Sequence, residues 1–259
     1  MARRILKQMM QQSDMLLGLW QWILDPDVTE LIGAAGFDYI LLDMEHTARN
    51  IESARACMLA AFAADIPMVV RVTERDQQFM VEQMLEAGAQ GILVPMVETK
   101  AQALNVVRYA KFPPEGVRGI SNFVPVRRWL GTGNDPVFRA KANESVFVSV
   151  ILESPLALRN LDDLLTVDGI DAWMVGPGDL SSILGRAYTD PEIVEMVEAA
   201  FRRIGAAGKV GWAPLPSTDP VWLRSLGGKM VLLGHDFAAI SGTQALVAAA
   251  RTALAQKSA

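Results

Sequence analysis

The sequence predicts a single (β/α)8 barrel domain spanning residues 1–259. Eight short runs, each too continuous in apolar character for a half-exposed strand, alternate with segments of helical periodicity. That alternation over about 250 residues is the pattern of a (β/α)8 barrel. The competing layout is a doubly wound open sheet. Against it, no predicted strand leads into G-x-G-x-x-G or a P-loop, the motifs with which such sheets bind nucleotides.

Turn residues and hydrophobic spacing mark the first four strand and helix pairs. Asp25 and Pro26 break the first strand, and a short amphipathic helix then closes on Gly36. The second run, FDYILLDMEH, is aromatic and apolar throughout, as a fully buried strand is. The predicted strands are 18–23, 37–46, 67–72 and 91–97, and the predicted helices are 25–36, 51–65, 76–87 and 99–109.

The alternation breaks once and then resumes for four more pairs. The segment from Lys111 to Ser145 is rich in Gly, Pro, Asn and Arg and is too long for an ordinary connection, so it predicts a lid or an interface arm. The later predicted strands are 146–152, 172–176, 209–215 and 229–234. A helix running through Leu165 follows the first of them, and the other predicted helices are 191–207, 220–226 and 237–255.

The composition leaves a small molecule as the expected partner. The formal net charge is -5 with both signs mixed along the chain, which gives no electrostatic reason to expect nucleic acid or an anionic membrane. The N-terminus lacks the apolar core of a signal peptide, and no window approaches the roughly 20 apolar residues of a membrane span. The single cysteine, Cys57, excludes an internal disulfide framework and predicts a cytoplasmic location.

The residues that follow the strands form an unusually polar set. In a (β/α)8 barrel the active site lies at the carboxyl ends of the strands. The residues at those positions are Trp20, Gln21, Asp43, Glu45, His46, Arg71, Pro95, Glu153, Asp179, Trp212 and His235. Carboxylates, imidazoles and a guanidinium therefore converge on one rim.

Two of these acids, Glu153 and Asp179, follow neighbouring strands. With no Cys or His nearby in sequence, they offer the hard oxygen ligands that suit Mg²⁺ or Mn²⁺, with water and substrate completing the coordination. Two carboxylates can also act as an acid and base pair, as in glycoside hydrolysis. A structural alternative is that both acids cap helices. All three interpretations are open on spacing alone.

Arg71, His46 and the GPGDL segment add binding and proton-transfer candidates. The Arg71 fork suits a carboxylate or a developing enolate oxygen, although a bridge to Asp43 or Glu45 is the structural alternative. His46 is a candidate proton carrier near neutral pH, or else a structural histidine. The backbone N–H groups around Gly176–Asp179 open a helix and suit a carboxylate.

The ordered set of these segments resembles the HpcH/HpaI family of class II, metal-dependent pyruvate aldolases, which includes 2-keto-3-deoxy sugar acid and 4-hydroxy-2-oxo-heptanedioate aldolases. The similar region runs from about Gly18 to Phe237. The matching segments are LLDMEH at 41–46, VVRV at 69–72, LEAGAQGILVPMVET at 85–99, RYAKFPPEGVRG at 108–119, LES at 152–154 and DGIDAWMVGPGDLSSILG at 168–185.

The resemblance implies a role for each matching residue. Glu153 and Asp179 are implied metal ligands, with Mg²⁺, Mn²⁺ or Co²⁺ as the cation, and Asp43 is implied to hold a metal-bound water. Arg71 is implied to bind the pyruvoyl oxygens and stabilise the enolate. The remaining implied roles are proton transfer by His46, an acidic partner for it at Glu86, and a carboxylate cradle at Gly176, Pro177, Gly178 and Asp179.

The implied reaction is cleavage of a 4-hydroxy-2-oxo acid to pyruvate, or a close 2-oxo acid, and an aldehyde through a metal-bound enolate. Lys209 and Lys229 each stand at the start of a predicted strand, at the opposite end of the barrel, so a Schiff-base mechanism at the rim lacks its nucleophile. The alternatives are an oxaloacetate decarboxylase, an acyl-CoA lyase of the citrate lyase β type, and a non-catalytic protein that binds 2-oxo acids.

Several positions bear on the substrate beyond its pyruvoyl part. Ile151 stands where family members often carry a substrate-contacting Gln, and His235 stands where an apolar residue is common. Trp20 and Trp212 are further candidate substrate contacts, and residues 121–143 follow the family pattern poorly. The resemblance also implies a homo-oligomer, either a trimer or a hexamer built as a trimer of dimers, in which the helix at 237–255 is exchanged between subunits.

Overall fold

The structure, a computed structural model, describes residues 4–73, 78–121, 135–214 and 220–238. Across these ranges eight parallel strands pair in sequence order, and β8 pairs back to β1 to close the barrel. The strands are β1 Leu16–Gln21, β2 Tyr39–Asp43, β3 Met68–Arg71, β4 Gly91–Val94, β5 Phe147–Leu152, β6 Ala172–Val175, β7 Gly211–Ala213 and β8 Gly228–His235. The predicted barrel is confirmed, because an open sheet would leave two edge strands unpaired.

Helices surround the strands, and several begin with an N-cap followed by proline. Asp25, Ser154 and Asp190 each accept a backbone N–H in the first turn of the helix that they open. The described helices are α1 Leu6–Gln12, α2 Pro26–Ala34, α3 Ile51–Ala63, α4 Gln78–Ala87, α5 Lys100–Ala110, α6 Pro136–Ser145, α7 Pro155–Arg159, α8 Leu161–Leu164, α9 Pro177–Ile183, α10 Pro191–Ala206 and α11 Pro220–Ser225. None of them combines the length and apolar character that a membrane crossing requires.

The interior of the barrel is packed with side chains. Because strand side chains alternate, one set faces inward and the other packs against the helices. The indole of Trp212 lies edge-on to the rings of Tyr39 and Phe147, with ring centroids 5.7 and 5.9 Å apart. Leu41, Val69 and other apolar residues complete this inner cluster. The barrel is a filled core, so chemistry is confined to its rim.

Helix α1, which the strand and helix alternation did not predict, lies at the amino end of the barrel. Leu6 and Met10 are buried and pack into the inner cluster. The Leu6 backbone N–H donates to Gln90 Oε1 at 3.1 Å, and Gln90 Nε2 donates back to the Arg4 carbonyl at 2.8 Å. Gln90 immediately precedes β4, so α1 is tied to the end of the barrel opposite the rim.

The long segment before β5 is more regular than predicted. It contains α6, whose Asn143 accepts the Phe112 N–H at 2.8 Å and donates to the Phe112 carbonyl at 3.0 Å. Because α6 leads directly into the first residue of β5, this part of the segment lies at the amino end of the barrel and not over the rim. Residues 122–134, like the predicted C-terminal helix beyond 238, lie outside the described residues.

The burial of α1 gives a testable expectation for stability. Leu6→Ala should lower the free energy of unfolding by about 2–5 kcal/mol, because it removes a buried leucine from the base of the core. Leu31→Ala on α2 is the matched control, since Leu31 is 69% exposed, and it should change stability by less than about 0.5 kcal/mol. Urea unfolding of both variants measures the difference, and equal effects would contradict the role of α1 in closing the core.

Candidate active site

The predicted acids and Arg71 come together at the carboxyl ends of the strands. Asp43 ends β2 and Arg71 ends β3, and the two are register partners on adjacent strands. Glu153 follows β5, and Asp179 lies in the first turn of α9, directly after β6. Parallel strands bring these four side chains to one rim, as the sequence predicts.

Asp43 and Arg71 form a buried ion pair in the centre of this group. Asp43 Oδ2 pairs with Arg71 Nη2, and Asp43 Oδ1 accepts from Arg71 Nε at 3.2 Å. Arg71 Nη1 contacts Glu45 Oε2 at 2.9 Å, and the guanidinium lies 4.5 Å from the ring centroid of Trp20. The alternative in which Arg71 bridges to acids is therefore realised with both acids. A guanidinium has five N–H donors and these contacts use three, so within the described residues two have no partner and could bind a substrate.

Glu153 places a carboxyl group in a buried position. Its side chain is only 4% exposed, and Oε1 accepts the Met96 backbone N–H at 2.8 Å. Burial, together with the charges of Asp179 and Glu45, raises the pKa of Glu153 to about 8 against the opposing effects of the Met96 N–H and Arg71. Burial also raises the pKa of Glu45, against the opposing charge of Arg71. More carboxylates than cations thus meet at this rim.

Neither Glu153 nor Asp179 acts as a helix cap. Ser154 caps α7 by accepting the Ala157 N–H at 3.1 Å, and the N-cap of α9 is Gly176, with no side chain capping that helix. No group of three or more His, Cys, Asp or Glu side chains arranged to hold a metal occurs among the described residues. Two carboxylates with surplus negative charge fit a hard divalent cation whose other positions are filled by water and substrate oxygens.

Only part of the predicted carboxylate cradle is available. The Gly176 N–H donates to the Leu152 carbonyl at 3.0 Å, within the β5 and β6 pairing, so it is not free for a ligand. Pro177 has no N–H. Gly178 and Asp179 lie in the first turn of α9, where backbone N–H groups have no partner within the helix. A bound carboxylate would therefore meet these two residues.

Gly176 gives a test of how closely the site is packed. A Cβ at this position would lie 2.9 Å from both Cβ and Oε2 of Glu153, so Gly176→Ala should displace the Glu153 carboxylate. We expect a loss of divalent-metal affinity and of turnover of about 10–100-fold, because an error of about 1 Å at a site has effects of that size. Gly178→Ala, where a Cβ meets nothing within 4 Å, is the control for calorimetric metal titration. Equal affinities in the two variants would contradict this packing.

His46 lies at the rim, but Glu86 does not lie near it. The His46 side chain is 63% exposed, and its Nε2 is 3.7 Å from Glu45 Oε2. Glu86 occupies the last turn of α4, which returns to the amino end of the barrel before β4 begins. The two residues are therefore at opposite ends of the strands. Within one chain the implied pairing of His46 with Glu86 does not form, and Glu45 is the acidic neighbour of His46.

The predicted substrate contacts divide into two groups. Trp20 lies against Arg71, and His235 ends β8 with its Nδ1 buried and without a hydrogen-bond partner among the described residues. Trp212, in contrast, is fully buried between Tyr39 and Phe147, the first residues of their strands, so it does not line the rim as predicted. Ile151 is 2% exposed and faces the interior two residues before Glu153.

Trp22 was missed as a candidate. Its Nε1 donates to Asp43 Oδ2, and its ring stacks on His235 with centroids 5.3 Å apart. The available signal was the spacing: Trp20 and Trp22 are two residues apart, so on an extended chain they face the same side. Gln21, between them, faces outward, where Nε2 donates to Thr29 Oγ1 at 2.9 Å.

Comparison with known proteins identifies the family of this chain. Residues 16–215 match the model of the HpcH/HpaI aldolase/citrate lyase family. A hydroxypyruvate/pyruvate aldolase of Deinococcus radiodurans is 36% identical over 242 residues, which are 91% of this chain and 83% of the relative. A 2-keto-3-deoxy-L-rhamnonate aldolase of Salmonella gallinarum is 34% identical over 90% of this chain and 85% of its own.

The fold comparison agrees with the sequence comparison. The crystal structure of the citrate synthase SbnG superposes with a TM-score of 0.85 at 28% identity, covering 98% of this chain and 99% of the other. The family match includes β1 to β7 and every strand end that carries a candidate acid. The chain therefore belongs to the HpcH/HpaI aldolase/citrate lyase family, and it is an enzyme of the aldolase type.

Proposed function

We propose that this protein is a divalent-metal-dependent aldolase that cleaves a 4-hydroxy-2-oxo acid to a short 2-oxo acid, pyruvate or a close analogue, and an aldehyde. The observation that carries the proposal is the convergence of Glu153, Asp179 and the Arg71 guanidinium at one rim, where two Arg71 N–H donors have no partner in the described part of the chain. Such a group suits an oxygen-rich ligand on which negative charge develops.

Glu153 and Asp179 are the residues that would hold the cation. When bound, Mg²⁺, Mn²⁺ or Co²⁺ would act as a Lewis acid that polarises the 2-oxo group of the substrate. The surplus of carboxyl groups over cations at the rim supports this assignment, because a divalent cation would stabilise the ionised form of Glu153, whose pKa is raised by burial and by the neighbouring acids.

The side chains around the cation would provide binding and proton transfer. Arg71, fixed by Asp43 and Glu45, can donate its remaining N–H groups to the oxygens of the 2-oxo acid and stabilise the enolate charge. His46 projects from the rim with its imidazole largely exposed. It can take the proton from the 4-hydroxyl group during cleavage and return it in the reverse, aldol direction.

The relatives narrow the choice of 2-oxo acid. One is named for both hydroxypyruvate and pyruvate and another for a keto-deoxy sugar acid. We propose a similar range here, with pyruvate or hydroxypyruvate as the product retained at Arg71 and a hydroxylated or simple aldehyde as the other product.

The test is metal-restored release of the 2-oxo acid. Enzyme stripped with EDTA would be assayed on oxaloacetate and on a panel of 4-hydroxy-2-oxo acids, before and after addition of Mg²⁺, Mn²⁺ or Co²⁺. The reverse reaction would use pyruvate or hydroxypyruvate with several aldehydes. We expect turnover only with added metal. Folded protein that releases no 2-oxo acid with any metal would overturn the proposal.

The likeness to a citrate synthase favours a second candidate. The same enolate chemistry can end in oxaloacetate decarboxylation or in cleavage of an acyl-CoA, as in citrate lyase β subunits. These outcomes differ in the mass of the products, so mass spectrometry of the reaction mixture distinguishes them from aldol cleavage.

We also propose that the chain forms a homo-oligomer, a trimer or a hexamer. Apolar side chains on the outer helices, such as Leu59 at 51% exposed and Phe79 at 66%, support an interface between copies. Light scattering after size-exclusion chromatography would give the mass, and a monomer at micromolar concentration would contradict this proposal.

A further inference from the structure

Trp22 is fixed on the β1 and β8 side of the rim by several contacts. Asp236 Oδ2 accepts the backbone N–H groups of Trp22 and Ile23, at 2.8 and 2.6 Å. The indole stacks on His235 with an interplanar angle of 23° and lies 5.7 Å from the ring of Phe237. Backbone and ring are thus both held by the end of β8, and the indole N–H points to one acceptor, Asp43.

The carboxylate of Asp43 is saturated by donors. Oδ1 accepts the backbone N–H groups of Glu45 at 2.8 Å and His46 at 3.2 Å, as well as Arg71 Nε at 3.2 Å. Oδ2 accepts Arg71 Nη2 and Trp22 Nε1. A carboxylate offers about four lone-pair sites, and five donors meet at this one. Asp43 is also completely buried, so it has little capacity to accept a further donor, and in this geometry it does not have the free acceptor site that its implied role of holding a metal-bound water requires.

We propose that Trp22 is a positioning residue. Its hydrogen bond keeps the Asp43 carboxylate in the orientation that pairs with Arg71. The indole N–H occupies the face of Oδ2 that would otherwise be open to a water molecule, and it fixes the plane of the carboxylate. That plane in turn fixes the guanidinium, which pairs with Asp43 through both Nε and Nη2. The proposal rests on the proposed function, because its catalytic consequence is the alignment of Arg71 with a 2-oxo acid.

The side chain of Trp22 makes two kinds of contact, which a substitution can separate. The ring supplies packing against His235 and Phe237, and the N–H supplies the hydrogen bond to Asp43. Trp22→Phe keeps an aromatic ring for the stack and removes the donor. Trp173 offers a matched control on β6, because its indole is completely buried and its Nε1 has no hydrogen-bond partner among the described residues. Trp173→Phe makes the same chemical change with no hydrogen bond to lose.

The catalytic test is exchange of the pyruvate methyl protons with deuterium from D2O, followed by NMR in the presence of Mg²⁺ or Mn²⁺. This exchange reports enolate formation without an aldehyde. Trp22→Phe should slow exchange at saturating pyruvate roughly tenfold, the effect expected for one hydrogen bond to a charged group, while the pyruvate dissociation constant changes less than about twofold. Trp173→Phe should leave the exchange rate unchanged. Equal rates in wild type and Trp22→Phe, or equal losses in both variants, would overturn the proposal.

A second measurement needs neither activity nor a variant that folds. In ¹⁵N-labelled wild-type protein, the indole N–H resonance of Trp22 should lie downfield of those of Trp20 and Trp173, whose Nε1 atoms have no partner in the described part of the chain. A Trp22 resonance among theirs would refute the contact with Asp43. If wild type exchanges no pyruvate protons while Trp22 is shifted downfield, the proposed function fails and the positioning contact stands.

Discussion

Glu153→Gln is expected to abolish metal-dependent turnover while leaving the barrel folded. The substitution keeps the size of the side chain and an oxygen for the Met96 N–H, but it removes the negative charge that would bind the cation. We expect a loss of at least about a hundredfold, comparable with the removal of a group that stabilises developing charge. Asp179→Asn should have a similar effect, because the two acids would share the metal.

The stability of the Glu153→Gln variant distinguishes chemistry from unfolding. A neutral amide avoids both the cost of burying a charge and the repulsion from Asp179 and Glu45 that raise the pKa of Glu153, so the melting temperature should be unchanged or higher than that of the wild type. Calorimetric titration with Mn²⁺ should at the same time show weakened binding. Glu198→Gln, which alters an exposed pair with Arg202 on α10, is the control and should retain metal binding and activity. Wild-type turnover in Glu153→Gln would remove the metal assignment.

The second large effect is expected at Arg71. Arg71→Lys keeps a positive charge but loses the planar fork that pairs with Asp43 and reaches the substrate. We expect a fall in kcat/KM of about 10²–10³-fold for 2-oxo acid release, since an enolate oxygen loses its donor. Arg71→Met should lose as much activity and also destabilise the fold by about 3–5 kcal/mol, because it leaves Asp43 buried without a cation.

The two Arg71 variants distinguish a structural role of this residue from a catalytic one. If Arg71 only stabilised the fold, Arg71→Lys would recover activity together with stability. If it also binds the 2-oxo acid, stability should recover and activity should not. Chemical denaturation and steady-state kinetics would be measured on both, with Arg203→Lys as the control at an exposed pair with Asp162. Activity that follows stability in both variants would contradict a role in catalysis.

The barrel and most of the rim could be predicted because both follow from local patterns. Continuous apolar runs identified the strands, and residues directly after a strand must lie at the carboxyl end of a parallel barrel. Asp43, Arg71 and Glu153 needed no more information than this. Helix α1 was missed because it stands outside the alternation of strands and helices and only two of its side chains are buried.

The predictions that were wrong or missing concern residues whose positions depend on contacts between distant parts of the chain. Trp212 is the second residue of β7, a strand of only three residues. Its ring therefore lies in the amino half of the barrel interior and not at the rim. The resemblance implied that Glu86 is the acidic partner of His46, but Glu86 lies in the last turn of α4, at the amino end of the barrel. The contact of Trp22 with Asp43 and His235 joins three strands, and no spacing within one strand encodes it.

The register between β2 and β3 determines where this protein can change in length. Asp43 and Arg71 are register partners, so inserting or deleting one residue inside either strand would turn one of them to the opposite face and break the pair. The connection after Asp43 is restricted as far as His46, because the backbone N–H groups of Glu45 and His46 donate to Asp43 and Glu45 contacts Arg71. Insertions should therefore be tolerated in this connection only beyond His46, and a different specificity for the aldehyde could be built there without disturbing the pair of Asp43 and Arg71.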